Sequence, residues 1–479
     1  MQRATPACSQ THHESHRPPP SRPQVPRPRF YCDVLGLEIA FPHDGMLFLR
    51  TPAGDDLLNF VETRKTFDPK AGGFDHFGFH VPGTRWTKTL AALERAGVRI
   101  RGRRGRWAVY IRDPNGYTVS STATEAHSQA ARTYVRAPRR SHMKAMVVRI
   151  AREALVAEDR EVPQPGRAEV RIRVHACGVC HSDQFVTEGL WPGLRLPRVP
   201  GHEVAGVVDA LGEGVSSLRV GDRVGVGWHG GHDGTCPACL NGKFIHCQNA
   251  RVTGITTDGG YAEFMIVPEV AVARMPDGMG FAEAAPLLCA GVTTFNALRN
   301  SGARPGDLVA VHGLGGLGHL GVQYARAMGF EVVAIARGAE KEGFARQLGA
   351  GHYIDSEKED AGRALGQLGG ARVILATAPS AAAISPLVGG LGIEGCLLVV
   401  AAPFEPIQVG AIDLISRSRR VQGWSSGTAA DSTDAMTFAR RARVRPMIET
   451  FPLAQAQAAV ERMMSGRARF RAVLEVVPG

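Results

Sequence analysis

The 479-residue sequence predicts an α/β protein of about three domains. These are a small α+β portion of βαβββ type, a barrel-like β domain, and a doubly wound parallel sheet. Three features predict this. Between residues 30 and 120 a helix followed by strands occurs twice. Between residues 170 and 224 short alternating apolar runs are separated by glycine turns, the pattern of a small barrel. Near residue 310 a buried strand, a glycine-rich loop, a helix and a second strand follow one another.

Composition narrows the function. With 44% hydrophobic and 21% charged residues the chain reads as globular and soluble. No apolar run reaches the roughly 20 residues of a membrane span, so no membrane partner is expected. The start, Met1-Gln2-Arg3-Ala4-Thr5-Pro6, lacks the apolar core of an export signal. Net charge is +11, but much of the excess lies in the Arg-rich first 140 residues, such as Arg101-Gly102-Arg103-Arg104-Gly105-Arg106. No nucleic-acid motif accompanies it, and no nucleic-acid partner is expected. Of nine cysteines, three cluster as Cys236-Pro237-Ala238-Cys239 and Cys247. Clustered thiols without an export signal favour metal over disulfides, hence a cytoplasmic location. Cys8, Cys32, Cys177 and Cys396 have no such spacing.

Residues 1–28 are rich in Pro, Ser, His and Arg and are expected to be a disordered tail. From Phe30 the character changes. Phe30–Leu37 reads as a short helix. Met46–Thr51, Leu57–Glu62 and Phe74–Val81 read as strands, and Thr87–Ala96 as an amphipathic helix. Ala108–Arg112 and Tyr117–Ser120 flank the turn Asp113-Pro114-Asn115-Gly116. Residues 29–124 thus form one domain, which resembles the vicinal oxygen chelate family of glyoxalase and bleomycin-resistance proteins. The resemblance rests on Phe30-Tyr31, Asp33–Leu37, Asp75-His76 and Asp113–Gly116. It maps metal ligands to Glu62 and His76, with Ser120 where a carboxylate is expected and a first strand missing. A degenerate binding fold is the expectation. Residues 125–142 are polar and basic, a linker. Met143-Lys144-Ala145-Met146-Val147-Val148 then reads like the beginning of a free-standing protein, with residues 1–142 a fused portion or a product of start-site choice.

Gly178-Val179-Cys180-His181-Ser182-Asp183 follows the strand Val170–Val174 in what reads as a glycine-bearing turn. Gly201-His202-Glu203 and Leu288-Cys289-Ala290-Gly291-Val292-Thr293 follow downstream. Two thiolates and an imidazole leave one tetrahedral position open on zinc, as catalytic sites require. Further short strands are Val204–Val208 and Val220–Val224. Asp307–His312 reads as a strand, and Gly313-Leu314-Gly315-Gly316-Leu317-Gly318 leads from it into a helix, His319–Gly329. In that context the glycines let backbone approach a pyrophosphate at the helix N-terminus. The second strand, Glu331–Ile335, ends in Ala336-Arg337-Gly338-Ala339-Glu340-Lys341. No carboxylate there repels a 2′-phosphate, and Arg337 with Lys341 can pair with one, so NADP is favoured over NAD. Val373–Thr377 and Cys396–Val400 are further strands of the sheet.

From Met143 to Gly479 the chain resembles the zinc-dependent medium-chain alcohol dehydrogenases, close to the bacterial alcohol and cinnamyl-type branch. The residues that carry the likeness are Gly178–Asp183, Pro200–Glu203, Val220–Val224, Asp258–Glu263 and Cys289–Gly291. The resemblance implies a GroES-like β-barrel catalytic domain over 143–300, to which 437–479 return, and a Rossmann domain over 301–436. It implies that Cys180, His202 and Cys289 bind catalytic zinc, with Glu203 a transient fourth ligand and Asp183 orienting His202. Ser182 would relay the substrate's proton, His181 would lie near the cofactor phosphates, and Thr293 would place the nicotinamide. Phe185 stands where a second histidine often ends the relay. Trp228 matches a pocket-lining aromatic, and Trp191 is expected near the entrance. The family's structural zinc lobe has four cysteines; here Asp233 takes the first place before Cys236, Cys239 and Cys247. Asp233 as ligand is the favoured reading, with His232 or a weakened site as alternatives. Arg420–Trp424 looks like the family's late strand, facing the nicotinamide or a subunit interface. The resemblance implies Zn²⁺ and NADP or NAD as cofactors, a small-molecule alcohol or aldehyde as partner, and a homo-oligomer, dimer or tetramer. Zinc would act as a Lewis acid while hydride passes between a primary alcohol and nicotinamide. Two rivals remain: a zinc-free quinone or enoyl reductase of the same superfamily, or a ligand-binding module carried by the N-terminal domain.

Overall fold

The computed structural model describes residues 141–476 throughout and, before them, seven strands and part of one helix between residues 38 and 123. The expected tail and the helix at Phe30–Leu37 lie outside the described residues, as do Glu62, His76, the side chain of Ser120 and linker residues 125–140. The chain divides into two units, Met1–Arg139 and Arg140–Gly479.

In the first unit, β1 (Glu38–His43), β2 (Met46–Arg50) and β3 (Leu57–Val61) form an antiparallel sheet. A second sheet has the order β4-β7-β6-β5, from β4 (Phe77–Val81), β5 (Ile100–Arg104), β6 (Ala108–Arg112) and β7 (Thr118–Ala123). Leu90, Ala91 and Leu93–Arg95 are helical, within the expected helix, and Leu93 is fully buried. Two of these strands were not foreseen. β1 contains a proline and follows directly on the apolar run at residues 30–37. β5 carries the arginines that read as mere surface charge. Strand pairing overrode their weak local preference.

In the second unit, β8 (His142–Val147) pairs with β9 (Val156–Glu161), so the expected linker gives way to strand at His142. The barrel sheet is built on β10 (Glu169–Val179), with β11 (Val204–Leu211), β12 (Arg223–Val226), β15 (Phe264–Pro268) and β16 (Val272–Arg274). A small ribbon, β13 (His229–Gly231) with β14 (Arg251–Val252), stands beside it. Along β10, Val170, Ile172 and Val174 point into the core while Arg171 and Arg173 face outward, the period-2 alternation of a half-buried strand. Past Ala176 every residue is buried, because β24 (Arg471–Glu475) now covers the strand. β24 pairs in parallel with β23 (Ile448–Pro452), so the end of the chain returns to the barrel sheet.

Two expectations are corrected here. Cys177-Gly178-Val179 is not a turn but the end of β10. Gly178 is glycine because a Cβ there would overlap the Glu203 carboxylate, a matter of close approach rather than of turning. Val220–Asp222 is likewise the turn before β12, with Gly221 at φ +97°.

The parallel sheet has the order β19-β18-β17-β20-β21-β22. Its strands are β17 (Leu308–His312), β18 (Glu331–Ala336), β19 (His352–Asp355), β20 (Ala371–Ala376), β21 (Leu391–Val399) and β22 (Arg420–Gly423). This is the 3-2-1-4-5-6 order whose crevice opens between the first and fourth strands. Val309 and Val311 pack into one core, and Ala310 between them into another on the opposite face. β19, which was not foreseen, is short and only half apolar. Among the described residues no single helix is long and apolar enough to cross a membrane.

Gly178→Ala is expected to cost about 1–3 kcal/mol, the range for overpacking a filled core. It would be read as a lower melting temperature by calorimetry.

Candidate active site and metal centres

β10 delivers Cys180 at its end, and a single 3-10 turn, His181–Asp183, reverses the chain there. The turn is tied by its own carboxylate: Asp183 Oδ2 accepts the Cys180 N–H at 2.9 Å. The loop before β11 docks alongside, with Gly178 N–H donating to the Glu203 carbonyl at 2.9 Å. Cys289 caps the helix Ala290–Arg299, and its carbonyl accepts the Thr293 N–H.

These three segments bring one ligand atom each from Cys180, His202, Glu203 and Cys289 within 4.8 Å of one another. The two sulfurs lie 3.8 Å apart. That is about the separation of two thiolates each ~2.3 Å from one tetrahedral ion. His202 Nε2 and Glu203 Oε2 are buried there without a hydrogen-bond partner. The cluster thus has the geometry and the unsatisfied donor atoms of a metal site. Asp183 Oδ1 lies 3.2 Å from His202 Nδ1, on the far side of the ring. The hydrogen bond from Cys289 and the charge of His202 hold the Cys180 thiol well below its usual range. Burial pushes Glu203 up to about 7, against the pull of Arg471.

An aromatic wall stands over the cluster. The Trp228 ring is 5.0 Å from that of His202, and Phe185 and Trp191 pack edge-on around it, 5.6 Å from each other. Phe185 therefore belongs to the wall. His181 is exposed on the turn, and Ser182 is half-buried beside it.

In the second cluster, atoms of Asp233, Cys236, Cys239 and Cys247 lie within 4.8 Å of one another. His232 is not among them; its ring stacks on Phe244 at 4.3 Å. Asp233 is aimed by its neighbours. Its Oδ1 accepts the N–H groups of Thr235 and Cys236, and its Oδ2 accepts the Asn249 amide at 2.6 Å. These bonds hold its carboxyl below the usual carboxylate range.

At the crevice of the parallel sheet, Gly313 turns the chain at φ +93° and Gly318 sits too close to the Gly313 carbonyl for any Cβ. A Cβ on Gly315, by contrast, would meet nothing: the space a pyrophosphate needs is open. Gly316 abuts Arg471, Leu317 begins the helical turn, and Gly318 opens the helix Gly318–Ala327. Thr377 at the end of β20 donates its hydroxyl to the Gly313 carbonyl.

At the end of β18, Arg337 is exposed, but the Lys341 ammonium donates to the Arg337 carbonyl at 2.7 Å. Of the two cations expected to meet a phosphate, Lys341 is thus tied to backbone. Asp355 Oδ1 accepts the Gly338 N–H at 2.8 Å, and Tyr353 donates to the Gly338 carbonyl at 2.6 Å, clamping the turn.

Three residues at these sites had no role in the sequence reading. Arg471 is 3% exposed; it pairs with Glu203 and donates to the Val179 carbonyl. A lone arginine inside the apolar run Phe470–Val476 was its available signal. Tyr261 lies within the Asp258–Glu263 motif, but nothing local points to its partner Asp183, nor to the pairing of Asp355 with Gly338.

Residues 166–277 match the alcohol dehydrogenase GroES-like domain, and residues 316–441 the zinc-binding dehydrogenase domain. An alcohol dehydrogenase of Aspergillus sp. (strain MF297-2) is 48% identical over 321 residues, covering 67% of this chain and 94% of that one. The chain belongs to the zinc-binding alcohol dehydrogenase family. An alcohol dehydrogenase of Geobacillus stearothermophilus is 39% identical over 336 residues, 70% of this chain and all of that one. Among solved structures, a cinnamyl alcohol dehydrogenase of Sorghum bicolor superposes with a TM-score of 0.65 at 32% identity, over 70% of this chain and 97% of that one. Its reaction class is that of the zinc-type medium-chain alcohol dehydrogenases. Residues 29–120 match the glyoxalase/bleomycin resistance protein/dioxygenase superfamily, so an oxidoreductase is fused behind a glyoxalase-type domain.

Burial holds His312 and His319, on either side of the glycine loop, down to about 4, well under the usual histidine value. Such a group adds stability that is fully present above the unfolded value, near 6.5, and is lost as pH falls toward 4. Melting temperature should therefore drop steadily between pH 6.5 and 4.5; a flat profile over that window would contradict the burial of both rings.

Proposed function

We propose that Cys180, His202 and Cys289 hold the zinc of an enzyme that passes hydride between a primary alcohol, or its aldehyde, and NADP(H). The observation that carries this is the convergence of two thiols with a buried imidazole nitrogen that has no other partner. When bound, zinc supplies Lewis acidity and the dinucleotide carries the hydride. The chain's own groups do the rest. Asp183 orients His202, and the half-buried Ser182 relays the proton of the substrate hydroxyl, accepting it as its own hydroxyl proton passes to water. Thr293, at the start of the helix that Cys289 caps, positions the nicotinamide. Glu203 stands by with its unpartnered oxygen as a transient fourth ligand. Phe185, Trp191 and Trp228 exclude water and favour an apolar or aromatic alcohol. A zinc-free quinone or enoyl reductase would have no use for such a ligand set.

The open space at Gly315 suits the pyrophosphate, with the helix Gly318–Ala327 beneath it, and His181 is the residue assigned to the cofactor phosphates. Arg471, beside Gly316, brings a cation to that loop. The NADP reading is supported by the exposed Arg337 at the end of β18. Asp233 completes a second, structural zinc site with Cys236, Cys239 and Cys247. The clustered thiols suit a cytoplasmic location. A homo-oligomer is supported by β22, an edge strand flanked by exposed Val421, Ile412 and Ile415.

A panel of alcohols and aldehydes, scanned with both cofactors by NAD(P)H absorbance, tests the activity. Metal analysis should find two zinc ions per chain. Cys180→Ala should abolish turnover while NADPH binding, followed by fluorescence, stays nearly intact. Arg337→Ala should lower kcat/KM with NADP by about 10–100-fold, the value of a charged hydrogen bond, and leave NAD unaffected.

A further inference from the structure

The segment Asp258-Gly259-Gly260-Tyr261 lies along the loop that carries His202. Gly259 N–H donates to the Val199 carbonyl at 2.8 Å, Gly260 N–H to Gly201 at 3.0 Å and Tyr261 N–H to Pro200 at 3.1 Å. Asp258 Oδ1 also accepts the Val199 N–H. The two strands of chain are pressed together: a Cβ on Gly259 would strike the carbonyl oxygens of Gly201 and Pro200. Gly201, at φ +99°, passes over the Tyr261 ring with no room for a side chain.

Tyr261 is wholly buried, and its hydroxyl donates to Asp183 Oδ2 at 2.9 Å. That oxygen also accepts the Cys180 N–H, while Oδ1 of the same carboxylate lies 3.2 Å from His202 Nδ1. One hydroxyl thus fixes the one carboxylate that touches both ligand-bearing loops. Burial and the Asp183 charge push the phenol far above its ordinary titration range, so it remains a donor.

We propose that Tyr261 is a positioning residue for the catalytic metal, acting through Asp183 on His202. This rests on the reading of Cys180, His202 and Cys289 as zinc ligands. The hydroxyl does two things. It locks the carboxylate against rotation, so that His202 presents Nε2 at a fixed angle. It also draws negative charge toward Oδ2, which sets how strongly Oδ1 polarises the imidazole. Without it, Asp183 loses one of two donors to Oδ2 in a buried site, and the ring is free to tilt.

The test compares the full-length wild type with Tyr261→Phe, which keeps the ring and deletes one oxygen. Removing a group that orients a metal ligand costs about 10–100-fold in metal affinity. Tyr261→Phe is therefore expected to release catalytic zinc to a chelator at least about tenfold faster. Its cobalt-substituted form should show shifted ligand-field bands, beyond any fall in the melting temperature of the metal-free protein from the lost hydrogen bond. In an Asp183→Asn background the same substitution should add nothing, because the pathway through the carboxylate is already cut. Wild-type release and spectrum in Tyr261→Phe would overturn the proposal. A lower melting temperature with unchanged release and spectrum would overturn it too, leaving the tyrosine a packing role alone. A wild-type chain that takes up no metal at Cys180 and Cys289 would overturn the ligand reading itself.

Discussion

Arg471 is a permanent charge with almost no access to water, and burying a guanidinium is tolerable only against a well-placed anion. Glu203, itself fully buried, is that anion, and the Val179 carbonyl takes a further hydrogen bond. Three parts of the chain must therefore meet at one point: the end of β10, the loop before β11, and β24 near the C-terminus. Breaking such a pair by removing one partner strands the other, at about 3–5 kcal/mol. The same guanidinium abuts Gly316, so the point where the barrel closes also touches the glycine loop that begins at Gly313. The Arg471–Glu203 pair thus touches both the cluster of Cys180, His202 and Cys289 and the glycine loop.

Around that pair, each group aimed at the metal is held by another that is held in turn. His202 depends on Asp183, Asp183 on Cys180 N–H and Tyr261, and Tyr261 on its backbone bonds to the His202 loop. The circle closes on itself with little solvent inside. In such a setting hydrogen bonds are strong and an unpaired polar atom is costly. Among the buried atoms without a hydrogen bond are His202 Nε2 and Glu203 Oε2, on side chains gathered with the two thiols. The second cluster follows the same logic with a different residue. Asn249 and two backbone N–H groups hold Asp233 as a carboxylate where the family has a thiolate.

Much of the site was legible because its chemistry sits in short local motifs. Gly313-x-Gly315-x-x-Gly318 can be read from spacing, since each glycine answers to a neighbour within a few residues or to a phosphate. Cys180, His202, Cys289 and the Asp233 lobe were legible for the same reason: ligand types and intervals survive in the linear text. What was misread had its cause elsewhere in the chain. Gly178 looked like a turn residue, yet its reason is a carboxylate 25 positions on. β1, β5 and β19 have weak propensities and exist because a neighbouring strand pairs with them.

By itself, the order of residues determined the family, the zinc-type chemistry and the doubly wound sheet. These depend on local periodicity and on residue types at set spacings, which need no third dimension. Only the folded chain decided which of Asp233 and His232 joins the sulfurs, that Phe185 faces Trp228, and that Arg471 and Tyr261 brace the ligand loops. Those outcomes depend on distances between residues dozens or hundreds of positions apart. Burial, which makes an unpaired charge or hydroxyl costly, is a property of the packed interior and not of any stretch of chain.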